Sequence, residues 1–373
     1  MTQASNPMRE DNGFKLGVFA YSYEGGNAIT TVPERWSCRW PDIKDVVQLA
    51  DRSGLDFLLP PARWRGIPGA LNNRLWSFET LTLAAATAAI TERIGVFSTV
   101  HTPIIPPIVA AKAMATIDHV SGGRSGINIV CGWNKPDFAM FGIPELPHDE
   151  RYVQGQEWFD IWSRLLSGSP EPFDYDGKHF PDRVGITGMP GSLQSPGPVV
   201  FSAAYSPAGR DFAIRTSDYL LTVVESVETG RAEVDALNKK SAESGRETPP
   251  GCIAVAYVVC RETREEAEAF HRYYALDNAD HAGVDYYISS RKGQAALPEA
   301  FYNELRIRMA AGNGGYPLVG SPEDVAEGLK DLQSAGFQGA ALIFLNFGDE
   351  LGFFVDRVLP LLEKAGLRSA AHG

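Results

Sequence analysis

The chain of 373 residues has no excess of positive charge and no basic run. Its 34 Lys and Arg residues are outnumbered by 46 Asp and Glu residues, which gives a formal net charge of −12. Binding to nucleic acid or to an anionic membrane surface requires clustered Lys and Arg side chains. The composition therefore argues against both kinds of partner.

Long apolar runs are also absent from the sequence. No run reaches the roughly 18 residues that a membrane-spanning helix needs. The first 13 residues are polar and include Arg9, Glu10 and Asp11, so they do not resemble a secretory signal. We expect a cytoplasmic protein with no membrane partner.

Cysteine and histidine are too few and too scattered to form a metal site. The four cysteines and seven histidines do not show the spacing of known metal ligands. We also find no Gly-x-Ser-x-Gly elbow, no His-Glu-x-x-His motif and no phosphate-binding Walker loop. The sequence thus predicts no metal, and it gives no support for serine-hydrolase, zinc-protease or P-loop chemistry.

What the chain does contain is a regular alternation of short apolar runs with amphipathic helical segments. Such alternation is typical of βα units in a parallel sheet. Predicted strands are 15–20, 57–59, 94–99, 126–131, 199–202, 219–223, 253–259 and 339–344. Predicted helices are 41–53, 78–91, 107–117, 150–167, 207–216, 226–244, 264–277, 322–335 and 349–364.

Eight such strands predict an α/β fold of the (β/α)8 TIM-barrel type, spanning residues 14–367 as one domain. A doubly wound sheet is less favoured, because no Gly-x-Gly-x-x-Gly motif follows the first strand. Segments 64–76, 168–197 and 278–320 are too long for tight loops and are predicted to be insertions. Residues 1–13 and 368–373 are predicted to be flexible tails.

Barrel enzymes place their active sites at the carboxyl ends of the strands. Asn128 is the most informative residue there, because it is the one amide in an otherwise apolar strand. A buried amide without partners costs a few kcal/mol, roughly, so its presence suggests a ligand. An Asn bonded to neighbouring backbone is the equally good structural alternative. His101, after the third strand, could contact a substrate or act as an acid, or it could simply face solvent.

The segment after the fifth strand offers a second candidate feature. Tyr205 and Ser206 precede Pro207 at a predicted helix start, where a hydroxyl and free N–H groups favour a phosphate. An ordinary Ser206 helix cap is the simpler interpretation of the same residues. Arg151, at the start of another helix, could equally form a surface salt bridge with Glu150 or Asp149.

Residues 115–135, 147–152 and 318–362 resemble the bacterial-luciferase-like flavin monooxygenases. The resemblance extends over about residues 14–367 and is strongest to the branch that contains pyrimidine and sulfone monooxygenases. It implies a small oxygen pocket beside the flavin, formed by Leu59, Thr99, Asn128 and Trp133. In that pocket Leu59 and Trp133 would exclude water, and Thr99 and Asn128 would donate hydrogen bonds to a flavin N5-peroxide.

The same resemblance implies a set of FMN contacts. Asp137 could instead be a helix N-terminal charge, and Ala62 is smaller than the residue usually found at its position. The implied FMN-binding residues are Ala62, Arg63, Asn128, Asp137, Arg151, Tyr152, Tyr205 and Ser206.

Taken together, the resemblance implies a two-component monooxygenase that uses O2 and reduced FMN from a separate NAD(P)H:flavin reductase. Cleavage of a carbon–sulfur bond in a sulfone or related compound is slightly favoured over carbon–nitrogen cleavage in a pyrimidine or cyclic amide. A deazaflavin-dependent oxidoreductase and a non-catalytic flavin-binding protein are the remaining alternatives. A homodimer or homotetramer is expected from the family alone.

Overall fold

The computed structural model describes residues 5–132, 134–290 and 299–369. Its strands are β1 (Lys15–Phe19), β2 (Phe57–Leu59), β3 (Gly95–His101), β4 (Ser125–Val130), β5 (Phe173–Tyr175), β6 (Arg183–Ile186), β7 (Val199–Ser202), β8 (Tyr219–Thr222), β9 (Gly251–Cys260), β10 (Tyr316–Gly320) and β11 (Gly339–Ile343).

The first seven helices are α1 (Trp40–Arg52), α2 (Thr80–Ala88), α3 (Pro107–Ser121), α4 (Lys135–Met140), α5 (Glu150–Leu166), α6 (Pro207–Thr216) and α7 (Val227–Glu243). The remaining ones are α8 (Arg264–Arg272), α9 (His281–Ser290), α10 (Glu299–Gly312), α11 (Pro322–Ser334), α12 (Phe347–Arg357) and α13 (Leu359–Lys364). A short 3-10 turn (Pro7–Arg9) precedes β1, and a π-helical turn (Tyr273–Asp277) follows α8.

The predicted (β/α)8 barrel is confirmed. Eight parallel strands pair in the order β1, β2, β3, β4, β7, β8, β9 and β11, and β11 pairs back onto β1. The pairing of β3 with β4 sets Thr99 opposite Asn128. Helices surround the barrel, and one apolar cluster lies between helices and strands while a second fills the barrel interior. This closed sheet brings the carboxyl ends of all eight strands to one face.

Aromatic rings fill the middle of the barrel. Phe57, Phe97 and Phe201 lie with ring centroids 4.7–6.1 Å apart, in tilted or edge-on contacts. Glycine is required beside two of these rings: a Cβ at Gly17 or Gly126 would lie 2.2 Å from a ring carbon of Phe57 or Phe97. The rings therefore form a packed floor one layer below Thr99 and Asn128.

Three features differ from the sequence prediction. Segment 168–197 contains a β5–β6 hairpin, and 278–320 ends in β10, which pairs with the distal half of β9. The sequence does not predict the β5–β6 hairpin, because its strands are too short to show the alternation of polar and apolar residues that indicates a strand. The predicted helix 349–364 is two helices, α12 and α13, and Pro360 occupies the first turn of the second one.

The predicted flexible N-terminal tail is wrong for the part that the structure describes. Asn6 donates to the Ser125 carbonyl at 3.0 Å, and Lys15 Nζ donates to the Pro7 carbonyl at 2.7 Å. Residues 6–13 therefore lie across the amino ends of the strands. At the other terminus Arg368 forms a buried 3.2 Å salt bridge with Asp56, so this residue is also fixed.

Asp118, a buried residue near the end of α3, anchors insertion 168–197 on the same amino-terminal face. Its carboxylate accepts from Ser125 Oγ at 2.8 Å and from Ser192 Oγ and the Leu193 N–H, both at 2.7 Å. Gln194 Nε2 donates at 2.7 Å to Oδ1, the same carboxylate oxygen that accepts from Ser125. The insertion thus starts and ends far from the carboxyl ends of the strands.

Over the described ranges no helix has the length and apolar character needed to cross a membrane.

Replacing Asp118 by Ala should lower the free energy of unfolding by about 3 kcal/mol, since several buried donors lose their acceptor at once. Urea denaturation would measure the change. Asp174→Ala is the matched control, because Asp174 accepts a single backbone N–H, from Gly185, on the exposed hairpin. Equal stability losses in the two variants would contradict the anchoring role of Asp118.

Candidate active site

A polar pair lies directly above the aromatic floor. Asn128 Nδ2 donates to Thr99 Oγ1 at 3.2 Å, and both residues are about 95% buried. The Thr99 carbonyl accepts from Thr80 Oγ1 at 2.6 Å, which fixes the strand behind the pair. Asn128 Oδ1 has no partner among the described residues. The Asn128 side chain is therefore not hydrogen-bonded to neighbouring backbone groups in the described part of the chain, which was the structural alternative expected from the sequence.

Leu59, at the end of β2, contributes to the interior cluster on the same barrel face and is fully buried. Like Thr99 and Asn128, it belongs to the interior-facing set of its strand. Three of the four residues of the predicted oxygen pocket therefore project into the barrel at the carboxyl ends of neighbouring strands. The fourth, Trp133, lies outside the described residues.

Two further ionisable side chains are buried beside this pair. His101 ends β3 at 4% exposure, so it does not face solvent, and its Nδ1 has no partner in the described ranges. Asp137, in the first turn of α4, is fully buried, and neither carboxylate oxygen has a partner among these residues. Burial lowers the pKa of His101 to about 3, and Arg63 adds to this effect. Burial likewise raises the pKa of Asp137, against the opposing charge of Arg63.

Arg63 is the charged group that connects these residues. Burial alone would lower its pKa, but Tyr287, Tyr23 and Asp137 raise it above its ordinary value, so Arg63 stays cationic. Its Nη2 donates to the Tyr287 hydroxyl at 3.1 Å. Ala62, the preceding residue, is also buried, in the short segment that follows β2. Both predicted strand-2 residues thus reach the carboxyl-end face.

Tyr152, Ser206 and Tyr205 form a second polar group, at the start of α6. Ser206 Oγ accepts from the Gly209 N–H at 3.1 Å and donates to the Tyr152 hydroxyl at 3.4 Å. Ser206 therefore caps the helix, as the simpler interpretation of the sequence predicts. The Tyr205 hydroxyl, half-exposed with its ring, accepts from the Val223 N–H at 3.2 Å. A helix start with two adjacent hydroxyl groups can also hold an anion.

Arg151 is engaged within the chain. Its guanidinium donates to the Leu146 and Gly132 carbonyls at 3.0 and 3.1 Å and pairs with Glu145 at 3.1 Å. The salt-bridge partner is Glu145 instead of Glu150 or Asp149, the two acids expected from sequence. Arg151 thus ties the loop after β4 to the start of α5, and Tyr152 follows it directly.

The sequence did not single out Tyr287 and Arg74, which adjoin Arg63. Both belong to the predicted insertions, and Arg74 lies 4.9 Å from the Tyr287 ring centroid. Residues that are more than 200 positions apart in the chain carry no local pattern that would reveal this contact. The only available signal was that long insertions on this barrel face often bind ligands.

Neither a metal nor a cysteine contributes to the described site. In the described ranges no three His, Cys, Asp or Glu side chains are placed to hold a metal ion. All four cysteines are buried and free, and burial raises the pKa of each thiol to about 12. They are therefore protonated at neutral pH and do not serve as nucleophiles.

Replacing His101 by Gln should make stability less sensitive to acid. The folded-state pKa of about 3 lies below the ordinary 6.5, so the unfolded chain binds a proton that the folded chain excludes. Stability is then lost as pH falls below about 6.5, and removing His101 should recover about 2 kcal/mol of the loss between pH 7 and pH 5. Urea denaturation at the two pH values measures it, with exposed His281→Gln as control. An unchanged pH dependence would show that His101 is not held neutral.

Comparison with known proteins identifies the family. Residues 14–339 match the family model described as luciferase-like monooxygenase. The FMNH(2)-dependent dimethylsulfone monooxygenase of Pseudomonas putida is 33% identical over 356 residues, covering 94% of this chain and 95% of that protein. The pyrimidine monooxygenase RutA of Bradyrhizobium sp. (strain BTAi1 / ATCC BAA-1182) is 29% identical over 366 residues, covering 95% and 98%.

A solved structure has a closely similar fold. The crystal structure of riboflavin lyase (RcaE) with modified FMN and substrate riboflavin superimposes with a TM-score of 0.85 at 22% identity. That match covers 97% of this chain and 94% of the other. Since the family model extends over most of the barrel and its strand-end residues, the chain belongs to the luciferase-like monooxygenase family.

Proposed function

We propose that the protein is the oxygenase of a two-component system that uses reduced FMN and O2 to cleave a carbon–heteroatom bond. The buried Thr99–Asn128 pair at the carboxyl ends of β3 and β4 carries the proposal. It supplies hydrogen-bonding groups in a dry pocket at the place where this family performs its reaction. The bond cleaved is proposed to be carbon–sulfur, because the dimethylsulfone enzyme is the more similar of the two relatives described.

The residues at the site fit a reduced flavin. Asn128 Oδ1 and the Asp137 carboxylate are buried acceptors without partners in the described ranges, and His101 Nδ1 is a third buried polar atom without one. Each unpaired group costs about 1–3 kcal/mol, which a ligand rich in N–H groups would remove. Reduced FMN offers such N–H groups on its ring system. The Tyr152–Ser206 group at the start of α6 would hold its phosphate.

Ala62 and Arg63 would contact the flavin from the segment that follows β2, and Arg63 is the cation whose charge most opposes the rise that burial causes in the pKa of Asp137. Tyr205 would contribute to the phosphate end of the site. Arg151 would act mainly by positioning Tyr152, since its own donors are already used within the chain. The sequence contains no dinucleotide-binding motif, which supports delivery of reduced FMN by a separate NAD(P)H:flavin reductase.

Bound reduced flavin supplies the electrons that activate O2. The protein contributes a fixed environment for the reacting oxygen. Thr99 retains its hydroxyl proton because it accepts from Asn128, and the Asn128 amide retains a second N–H. Both groups can therefore donate to oxygen as negative charge develops on it. Leu59 excludes water from the same position, which strengthens these hydrogen bonds.

Carbon–nitrogen cleavage of a pyrimidine or cyclic amide is the second candidate, supported by the pyrimidine monooxygenase relatives. A deazaflavin hydride transfer would leave the Thr99–Asn128 pair without a task, and a non-catalytic role would leave the whole pocket without one.

Turnover with purified protein, a flavin reductase, NADH and FMN separates these possibilities. The proposal predicts substrate-dependent O2 uptake with an aldehyde and a sulfur oxyacid as products of a sulfone. Ring-opened products from a cyclic amide would favour the second candidate, and substrate turnover without O2 would refute the proposal.

Asn128→Ala should slow substrate oxidation by roughly 30- to 1000-fold, since the lost hydrogen bonds are worth about 2–4 kcal/mol in such a site. Thr99→Val should have a smaller effect in the same direction. Thr87→Val is the control, because the Thr87 hydroxyl is also buried but lies in helix α2, where it donates to the Leu83 carbonyl at 3.0 Å. Rates are compared at saturating reduced FMN. A wild-type rate in Asn128→Ala would exclude the pocket assignment.

Gly209→Ala should weaken binding of reduced FMN by about tenfold or more. A Cβ at this position would lie 2.6 Å from the Tyr152 hydroxyl and 2.8 Å from Ala204 Cβ, so Tyr152 would have to move. Anaerobic titration with reduced FMN measures the effect. Gly197→Ala, where a Cβ would meet nothing within 4 Å, is the control. Equal affinities in both variants would argue against a phosphate contact at the start of α6.

A further inference from the structure

Arg74 is a cation that the proposed reaction does not use. It lies in insertion 64–76, after β2, and its side chain is fully buried. Nη2 donates to the Asn27 carbonyl at 3.0 Å, but Nε and Nη1 have no partner among the described residues. A buried guanidinium ordinarily pairs with an anion, because removing its charge from water costs several kcal/mol. Arg74 is thus a buried cation with two nitrogens that can still donate hydrogen bonds to an anion.

The backbone holds Arg74 in place at a cost. Asn72 and Arg74 both adopt positive φ, +50° and +67°, a conformation that non-glycine residues seldom adopt. Buried Asp280 maintains it: its carboxylate accepts from Asn73 Nδ2 at 3.0 Å and from the Leu71 N–H at 3.4 Å. Strain that the surroundings maintain in this way is often found in ligand-binding loops.

Aromatic rings and a second arginine surround the Arg74 guanidinium. Its carbon lies 5.3 Å from the Tyr23 ring centroid and 4.9 Å from that of Tyr287. These cation–π contacts stabilise the charge from its faces and leave the edge donors available. Arg63 reaches the same Tyr287, through the 3.1 Å hydrogen bond to its hydroxyl. Two guanidinium groups therefore converge on one tyrosine.

The unpaired polar atoms around Arg74 are mostly donors. Asn27 Oδ1 accepts from the Tyr23 hydroxyl, but Asn27 Nδ2 has no partner in the described ranges. Arg74 Nε and Nη1 add two more donors, while Asn73 Oδ1 is the one nearby unpaired acceptor. Three donors with a positive charge call for a ligand with several oxygens and a negative charge.

Arg63 links this group of residues to the side chains at the strand ends. It contacts Tyr287, and, after burial as the larger cause, its positive charge further lowers the pKa of His101 and opposes the rise in the pKa of Asp137. His101 lies two residues beyond Thr99 on the same side of β3. A small molecule whose reacting carbon lay near Thr99 and Asn128 could thus extend its polar end toward Arg63 and Arg74.

We propose that Arg74 and Arg63 form an anion subsite that binds an oxyacid head group on the substrate, a sulfonate, sulfinate or carboxylate. The inference rests on the proposed function, since it assigns the substrate class of that same site. An acid-bearing organosulfur compound is then preferred over a neutral sulfone.

Methanesulfonate and dimethyl sulfone test the proposal well, because the two molecules have nearly the same shape and differ in charge. Each is titrated calorimetrically and anaerobically into the protein, with and without reduced FMN. Wild type should bind methanesulfonate at least tenfold more tightly than dimethyl sulfone. Arg74→Met should remove this preference and leave the affinity for dimethyl sulfone within about twofold. Arg39→Met is the control, because Arg39 also lies over an aromatic ring, Trp76 at 3.9 Å, but is exposed.

Arg74→Lys provides a second variant should Arg74→Met fail to fold. It keeps the charge but cannot present paired donors, so methanesulfonate binding should weaken by a smaller factor. Equal affinities of wild type for the two probes would overturn the subsite, as would a loss in Arg74→Met that falls on reduced FMN and spares methanesulfonate. Because the titrations need no turnover, a protein that prefers the anion but oxidises nothing would retain the subsite and lose the proposed function.

Discussion

The close packing of three phenylalanine rings inside the barrel is the constraint on which the active site depends. Phe57, Phe97 and Phe201 fit because Gly17 and Gly126 leave no Cβ in their way. A filled interior seals the barrel below the carboxyl ends of the strands. Thr99 and Asn128 can therefore be polar and buried at once, since water cannot reach them from below. The chemistry proposed here requires that dryness, because hydrogen bonds to developing charge are strongest where water is excluded.

The two ends of the barrel differ in how completely their polar groups are paired. At the amino ends of the strands, Asp118 accepts four hydrogen bonds and Asp56 lies between Lys15 and Arg368. At the carboxyl ends, buried polar atoms without partners accumulate in the described ranges: Asn27, Asn73, Arg74, His101, Asn128 and Asp137. At the amino ends Arg368 Nε also lacks a partner in the described ranges, so the contrast is one of degree. Extensive pairing is typical of a face that provides stability, and many unpaired buried groups are typical of a face that binds ligands.

The barrel and Asn128 could be predicted from sequence because both depend on local pattern, whereas Thr99 was implied only by the family resemblance. Apolar runs with βα spacing define the strands, and an amide in such a run is conspicuous at Asn128. The structure adds that burial keeps His101 neutral and that Arg151 is bonded to Glu145 and to backbone carbonyls of its own chain. The spacing of residues in the sequence reveals neither. It also shows residues 6–13 packed on the barrel. Their polar composition does not reveal this packing, because it does not indicate which backbone carbonyls Lys15 contacts.

The contact of Arg74 with Tyr23 and Tyr287 lay beyond sequence reasoning for a different reason. The contact joins three separate insertions or loops. The position of Arg74 depends on positive φ angles, which cannot be inferred from the residue types at these positions. Asp280, which maintains the loop, is likewise remote in sequence from the residues that it holds. The proposed anion subsite thus depends on long-range contacts, whereas the proposed catalytic pair, Thr99 and Asn128, lies on two adjacent strands.

The most direct measurement is an anaerobic titration of the purified protein with reduced FMN, followed by a pulse of O2 while flavin absorbance is recorded. The account predicts saturable binding of reduced FMN and a transient absorbing species before oxidised FMN appears, with a lifetime that shortens when substrate is present. Absence of binding, or immediate reoxidation at the rate of free reduced FMN, would contradict the assignment of the Thr99–Asn128 pocket as the site of oxygen chemistry.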